Sequence, residues 1–484
     1  MRILTLAACA ALCLSTIPVT ATAAPAAITW EACPAETTNK DARCGHIEVP
    51  MDYSKPDGKK ITVGFVTVPA KQKSRGSLFL NPGGPGESVY GLLDSEEYWP
   101  AEILAEWDMI AVQPRGLSGS TALECTAPPT TDTANLVNYG VKLYKACDEK
   151  QPGYAAQVNT NNTAEDWEQV RQALKQNRIS ILGMSYGTAL GSVYATKYPG
   201  HTDKVVLDSG YNYLTTSMTE WEKGRAIALN DLFTWIAKHD DVYHMGTTAR
   251  AVYNKWTDTI IAESGTNTTI KPPEAGSGED LLVELRNLIN QLTKPGANQS
   301  NSPTLLYTFH MVGLPAQWPE IARTITQPGA AAEVMTELKG LIEEQLNGAM
   351  PRIVMCNDRQ ESIHPEKIPG AIWGEITGHP AAIARLESTG VLCDGITATN
   401  PITGISGAQL KTKPLQIQAT GDPNTPYWDF QDMARDMQSH VLTVEGPGHV
   451  QIGNNIAALD SAVVKYLRTG EVTETRVKGI DPQP

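Results

Sequence analysis

The sequence predicts an α/β fold: a mostly parallel sheet flanked by helices, interrupted late by a large helical insertion. Three observations carry this. Short apolar runs recur at SLFL (77–80), MIAV (109–112), ISIL (179–182) and KVVL (204–207), as in strands buried on both faces. Helical patterns lie between several of them, the alternation that builds parallel sheets. The strand signal fades from about Tyr211 to about Leu410, then resumes at LQIQATGD (415–422) and HVLTVEGPGH (440–449).

The segments follow in order. Residues 1–23 read as a secretory signal peptide: Arg2, an apolar stretch from Leu4 to Leu14, and Ala21-Thr22-Ala23 as a small-x-small cleavage site. The stretch Leu6-Ala7-Ala8-Cys9 matches a lipidation box less well, because the apolar run before Cys9 is too short. Residues 24–210 form the first part of the core. They open with a hairpin whose turn contains Asp57-Gly58. Thr163-Ala164-Glu165-Asp166 resembles a capping box for the helix that carries Trp167, Val170 and Leu174. Residues 211–410 are the helical insertion, with patterns such as WEKGRAIALNDLFTWIAKH. Residues 411–475 complete the core and end in a helix bearing Ile456, Leu459, Val463 and Leu467 on one face and stopping at Gly470. Residues 476–484 read as a loose tail.

Composition narrows the function. The chain has 484 residues, 41% of them hydrophobic, and a formal charge of −14 without long runs of one sign. That gives no electrostatic footprint for nucleic acid. No segment after the signal is apolar and long enough for a transmembrane helix. Six cysteines remain after residue 23: Cys33, Cys44, Cys125, Cys147, Cys356 and Cys393. An even number in an exported chain predicts three disulfides. Six cysteines allow 15 connectivities, of which chain proximity favours Cys33–Cys44, Cys125–Cys147 and Cys356–Cys393. No pair has C-x-x-C spacing and no histidine cluster adjoins them, so no metal or cofactor is expected.

The chemistry centres on GMSYG (183–187), a G-x-S-x-G motif between a strand and a helix. Such a sharp turn lifts Ser185 off the sheet edge as a nucleophile, and side chains at Gly183 and Gly187 would collide with it. The Tyr186 N–H, at a helix N-terminus, suits an oxyanion hole. Serine needs a base. His449, in EGPGH between the last strand and the last helix, fits that role better than the other eight histidines. Asp422, after the strand LQIQAT, is the acid that would orient His449; Asp208, at the end of KVVLDSG, is the runner-up. The loop NPGGPGES (81–88) follows an early strand, so Gly83 and Gly84 are the candidates for the second oxyanion donor.

Together these residues resemble the secreted tripeptidyl aminopeptidases of actinobacteria, in the proline iminopeptidase-like branch of the α/β-hydrolases. The resemblance covers most of the chain after residue 23. It includes ITWEAC, CGHIEVPMDYSKP, the GGPG loop and DMIAVQPRGLSGSTALEC, then GMSYGTALGSVYATKYP, VVLD, MCND, GDPNTP and GPGH. It implies the α/β-hydrolase fold with a helical cap inserted before the acid-bearing strand. The implied activity is that of a serine exopeptidase releasing short peptides from free N-termini. Such an enzyme needs a carboxylate for the terminal ammonium, and Glu87, beside the GGPG loop, and Asp358 and Glu361, near Cys356, are the acidic residues the sequence offers. The implied nucleophile, acid and base fall on Ser185, Asp422 and His449, and the oxyanion loop on Gly83 and Gly84. The sequence departs from this pattern in places. Gln113 stands where relatives have Asp, and is read as support for Arg115; Glu87 interrupts the usual Gly-Ser after GGPG; a C-terminal cysteine is missing. The same triad would also serve an esterase or acyltransferase acting on envelope lipids or other esters. The expected location is outside the cytoplasm, free or held at the envelope.

Overall fold

A computed structural model describes residues 25–130, 133–213, 218–273, 296–327, 329–336 and 348–484, with isolated positions between 278 and 294. The predicted signal peptide, with Cys9 and Cys13, lies outside the described residues.

One sheet organises the chain. In chain order its strands are β1 (Thr29–Glu31), β2 (Arg43–Pro50), β3 (Lys60–Val68), β4 (Ser77–Asn81), β5 (Asp108–Val112), β6 (Ile179–Met184), β7 (Thr202–Asp208), β8 (Leu415–Gly421), β9 (His440–Pro447) and β10 (Arg476–Lys478). Their spatial order is β1-β2-β3-β5-β4-β6-β7-β8-β9-β10. The pairs from β1 to β3, and β3 with β5, are antiparallel; every later pair is parallel. The predicted hairpin is β2–β3, which pairs Arg43 with Thr67 and Pro50 with Lys60.

The apolar runs work as predicted. Successive strand residues point to opposite faces. Phe79, Ile110 and Ile181 therefore meet Leu143, Trp167 and Val193 on one side, while Leu80, Ala111 and Leu182 meet Trp99, Ile103, Leu459 and Val463 on the other. Burying each such large side chain contributes about 1.5–3 kcal/mol. The sheet is thus dry on both faces, and its reactive groups stand at the carboxyl ends of the strands.

The capping-box expectation is corrected. The helix begins a turn earlier, at Thr160, with Asn159 as N-cap accepting from the Asn162 N–H. Inside that helix Asp166 forms a bidentate pair with Arg115, which follows β5. Both side chains are buried, 0% and 1% exposed. Arg115 also donates to the carbonyls of Met51 and Gln157, and Tyr53 donates to Asp166. Removing one partner strands a buried charge. Asp166→Ala is expected to cost about 3–5 kcal/mol, read as a lower denaturant midpoint.

Between β7 and β8 the described elements are helical, including Met218–Lys238, Ala249–Ser264, Pro303–Met311, Trp318–Thr326, Ala349–Asp358, Ile368–Thr377 and Ala382–Glu387. They have their own core, with Trp221, Phe233, Trp256, Phe309 and Trp318. The cysteines pair as Cys33–Cys44, Cys125–Cys147 and Cys356–Cys393. Three disulfides fit an oxidising, extracytoplasmic setting. No helix among the described residues is long and apolar enough to cross a membrane.

The loose tail is also corrected. Residues 476–478 add a parallel edge strand to β9, and the Pro482 carbonyl accepts from Trp235 Nε1 at 3.0 Å, in the insertion. Three alternating residues, R-V-K, are too short a pattern to announce a strand.

Candidate active site

The turn from β6 into the helix Tyr186–Lys197 places Ser185 at φ 54°, ψ −126°, a strained conformation for a non-glycine residue. Its neighbours explain how so tight a turn closes. A Cβ on Gly183 would lie 2.2 Å from the Gly187 carbonyl oxygen, and one on Gly187 would lie 2.5 Å from the Asn81 oxygen. Both positions exclude any side chain.

His449 follows β9. Its Nδ1 lies 3.0 and 3.1 Å from the two carboxylate oxygens of Asp422. Asp422 is 2% exposed. Its Oδ1 accepts from the N–H groups of Asn424 and Thr425, and its Oδ2 from the Thr425 hydroxyl, each at 2.9 Å. A carboxylate held by this many donors is fixed in orientation. Ser185 and His449 line one cavity of about 510 Å³. Their side chains make no hydrogen bond to each other among the described residues; such contacts are commonly looser before substrate arrives.

Asp208, the alternative acid, is used differently. Its Oδ2 accepts from the N–H groups of Gln451 and Ile452, at 2.9 and 2.7 Å, so it holds the segment after His449 rather than the imidazole. Complete burial pushes its carboxyl up to about 7, against those two donors.

The oxyanion side is partly corrected. The Gly83 N–H is spent on Asn81 Oδ1 at 3.1 Å, which leaves Gly84 as the candidate donor of the two glycines. Gly83 contributes shape: a Cβ there would stand 2.8 Å from Ser185 Cβ and 3.3 Å from the Tyr186 nitrogen. Tyr186 opens its helix, so its N–H has no intrahelical acceptor. Its hydroxyl bonds the Thr160 hydroxyl, and burial raises it well above the ordinary phenol range.

Gln113 does not support Arg115. It holds the segment after the GGPG loop, accepting from the Val89 N–H at 2.9 Å and donating to the Ser118 carbonyl and the Ser88 hydroxyl.

Of the three carboxylates proposed for an amine, the structure brings only Glu87 to the cavity. Asp358 is turned away: it caps the Thr160 helix, accepting from the Thr160 N–H at 2.7 Å and from its hydroxyl at 2.5 Å. Glu361 pairs with Arg359. The sequence missed Glu387, at the end of the Ala382–Glu387 helix, which borders the cavity with Glu87. Enclosure raises both carboxyls, Glu387 to about 7; Arg352 near Glu387 and His449 near Glu87 act the other way. No local motif marks Glu387, because it reaches the cavity only through the packing of the inserted helices.

Comparison with known proteins agrees with this fold. Residues 76–249 match the family model described as alpha/beta hydrolase fold, and residues 380–478 the one described as TAP-like protein. The chain has the α/β-hydrolase fold. Its C-terminal part, residues 380–478, is similar to the TAP-like proteins. It is 31% identical over 265 residues to a tripeptidyl aminopeptidase of Streptomyces lividans, spanning 49% of each chain, about half that relative's length. It is 24% identical to the serine protease Hip1 of Mycobacterium tuberculosis over 90% of this chain and 87% of that one. It is also 24% identical to carboxylesterase B of the same species, over 93% and 89%.

Proposed function

We propose that the protein is an exported serine aminopeptidase that releases short peptides, tripeptides in the first instance, from free N-termini through an acyl-enzyme on Ser185. In this reading His449 takes the serine proton as the hydroxyl attacks the scissile carbonyl. Asp422 holds the imidazole tautomer and stabilises the imidazolium. The N–H groups of Tyr186 and Gly84 receive the oxyanion. His449 then passes its proton to the leaving amine, and water releases the acyl group by the reverse sequence.

The observation that carries the peptidase reading over the esterase is the pair of enclosed carboxylates, Glu87 and Glu387, in the cavity of Ser185 and His449. Carboxyls enclosed in this way favour a cationic partner. An ester of a neutral acid supplies none; the ammonium of a peptide does. The likeness to carboxylesterase B makes the ester reading the one to test against.

The deciding assay compares peptide amides with free amines, the same amides acetylated, and nitrophenyl esters. Acetylation is expected to lower kcat/KM by about 2–4 kcal/mol, the penalty for leaving one side of a desolvated charge pair alone. Glu387→Gln is expected to slow free peptides and leave acetylated ones nearly unchanged. The preference for free amines should grow as pH rises through about 7, where Glu387 ionises, and decline above about 8, where a terminal ammonium loses its proton. Equal cleavage of free and acetylated peptides, or cleavage of esters alone, would overturn the aminopeptidase reading.

A further inference from the structure

The inserted helices do more than roof the cavity: they are fastened to the acid and the base. Asn424, two residues past Asp422, is the junction. Its backbone N–H donates to Asp422 Oδ1 at 2.9 Å. Its side-chain oxygen accepts from Trp221 Nε1 at 3.1 Å and Arg225 Nη2 at 2.8 Å, both on the Met218–Lys238 helix. Arg225 is 5% exposed, lies over the Trp221 ring at 4.3 Å, and donates to the Phe309 and His310 carbonyls. One residue of the core loop thus satisfies donors from two buried side chains of the insertion.

The base is tied from the same direction. The His449 N–H donates to the Gly313 carbonyl at 2.9 Å, and Gly313 follows the Pro303–Met311 helix. Two glycines allow the approach. A Cβ on Gly224 would lie 2.5 Å from the Pro423 carbonyl oxygen, and one on Gly313 would lie 3.0 Å from Pro423 Cγ. Glycine in the interior of the Met218–Lys238 helix costs about 1 kcal/mol relative to alanine, so the close contact with the acid loop is what gives Gly224 its place.

We propose that Asn424 is a positioning residue, through which the Trp221–Arg225 face of the insertion sets the alignment of Asp422 with His449. This rests on the reading of Ser185, Asp422 and His449 as the triad. It follows that the insertion cannot lift at this edge without unseating the acid and the base together. Substrate must therefore enter from another side, and a shift of the Met218–Lys238 helix would change catalysis directly.

A small fluorophosphonate tests this, because it reports serine activation without using the peptide subsites. Labelling of the wild-type protein at Ser185, located by peptide mass spectrometry, checks the triad reading independently. Once that labelling is seen, Asn424→Ala is expected to slow it by on the order of tenfold to a hundredfold, as small misplacements of reacting groups do. Asn424→Asp, which keeps the acceptor, should recover most of the rate. Trp221→Phe keeps the ring and should slow labelling several-fold in the wild type but add nothing in the Asn424→Ala background, the signature of action through one junction. Gly224→Ala tests the same contact from the side of the insertion. Its Cβ presses on the Pro423 carbonyl, which costs more than the helix gains, so labelling should slow and the melting temperature should fall. Labelling of Asn424→Ala and Gly224→Ala at the wild-type rate, or additive effects of Trp221→Phe and Asn424→Ala, would overturn the proposal and leave the triad reading intact. Failure of the wild type to label at Ser185 would overturn both.

Discussion

Ser185→Ala is expected to reduce turnover to background, a loss on the order of 10⁵- to 10⁶-fold, with little change in melting temperature. The two halves of this expectation have different sources. The side chain enters no core cluster, makes no hydrogen bond among the described residues and faces the cavity, so its oxygen contributes little to stability. The backbone strain at φ 54° belongs equally to alanine, which also carries a Cβ. Activity, in the proposed mechanism, depends wholly on the hydroxyl as nucleophile, and no neighbouring serine stands on the turn. Steady-state rates on free-amino peptides together with calorimetry check both halves. Residual activity above about 1%, far over what a triad missing its nucleophile retains, would move the nucleophile elsewhere.

The sheet is legible in the sequence because strands buried on both faces must be apolar throughout, and few other elements are. The elbow is legible because Gly183 and Gly187 face backbone oxygens only 2.2 and 2.5 Å from where a Cβ would lie. The order serine, aspartate, histidine then selects Asp422 and His449. What stays hidden depends on tertiary packing. Asp358 reads as a cavity carboxylate because its true partner, Thr160, lies 198 residues away in the chain. Glu387 gives no signal because its placement is a product of how the inserted helices pack. The tail strand escapes because its single buried residue, Val477, makes no pattern. Adjacency in sequence pairs Gln113 with Arg115, whereas its side chain reaches back to Ser88 and Val89.

Asp422→Asn is expected to lower kcat by about 10⁴-fold, the loss that follows when an amide favours the wrong imidazole tautomer. The geometry makes the reason specific. Both oxygens of Asp422 lie within 3.1 Å of His449 Nδ1 and also receive donors from Asn424 and Thr425. An amide offers one oxygen to these donors. Keeping it on the two loop N–H groups turns the amide nitrogen toward the Thr425 hydroxyl and the imidazole, so Nδ1 must then accept. The proton moves to Nε2, the atom that should take the serine proton. Asp208→Asn is the control that separates the two assignments. Its carboxylate receives Gln451 and Ile452 N–H groups on one oxygen, and an amide can keep that oxygen in place. Burial has already raised the Asp208 carboxyl to about 7. Its charge therefore opposes folding increasingly as pH rises from the ordinary carboxylate range through about 7, and an amide removes that dependence. Asp208→Asn should accordingly lose no more than about tenfold to a hundredfold in activity, through imprecise placement of His449, and should flatten the fall in stability between about pH 4 and pH 7. Kinetics and thermal melts of both variants across that range decide it. An inactive Asp208→Asn beside a nearly unimpaired Asp422→Asn would reverse the assignment of the acid, and the Asn424 junction would then lose its route to the base.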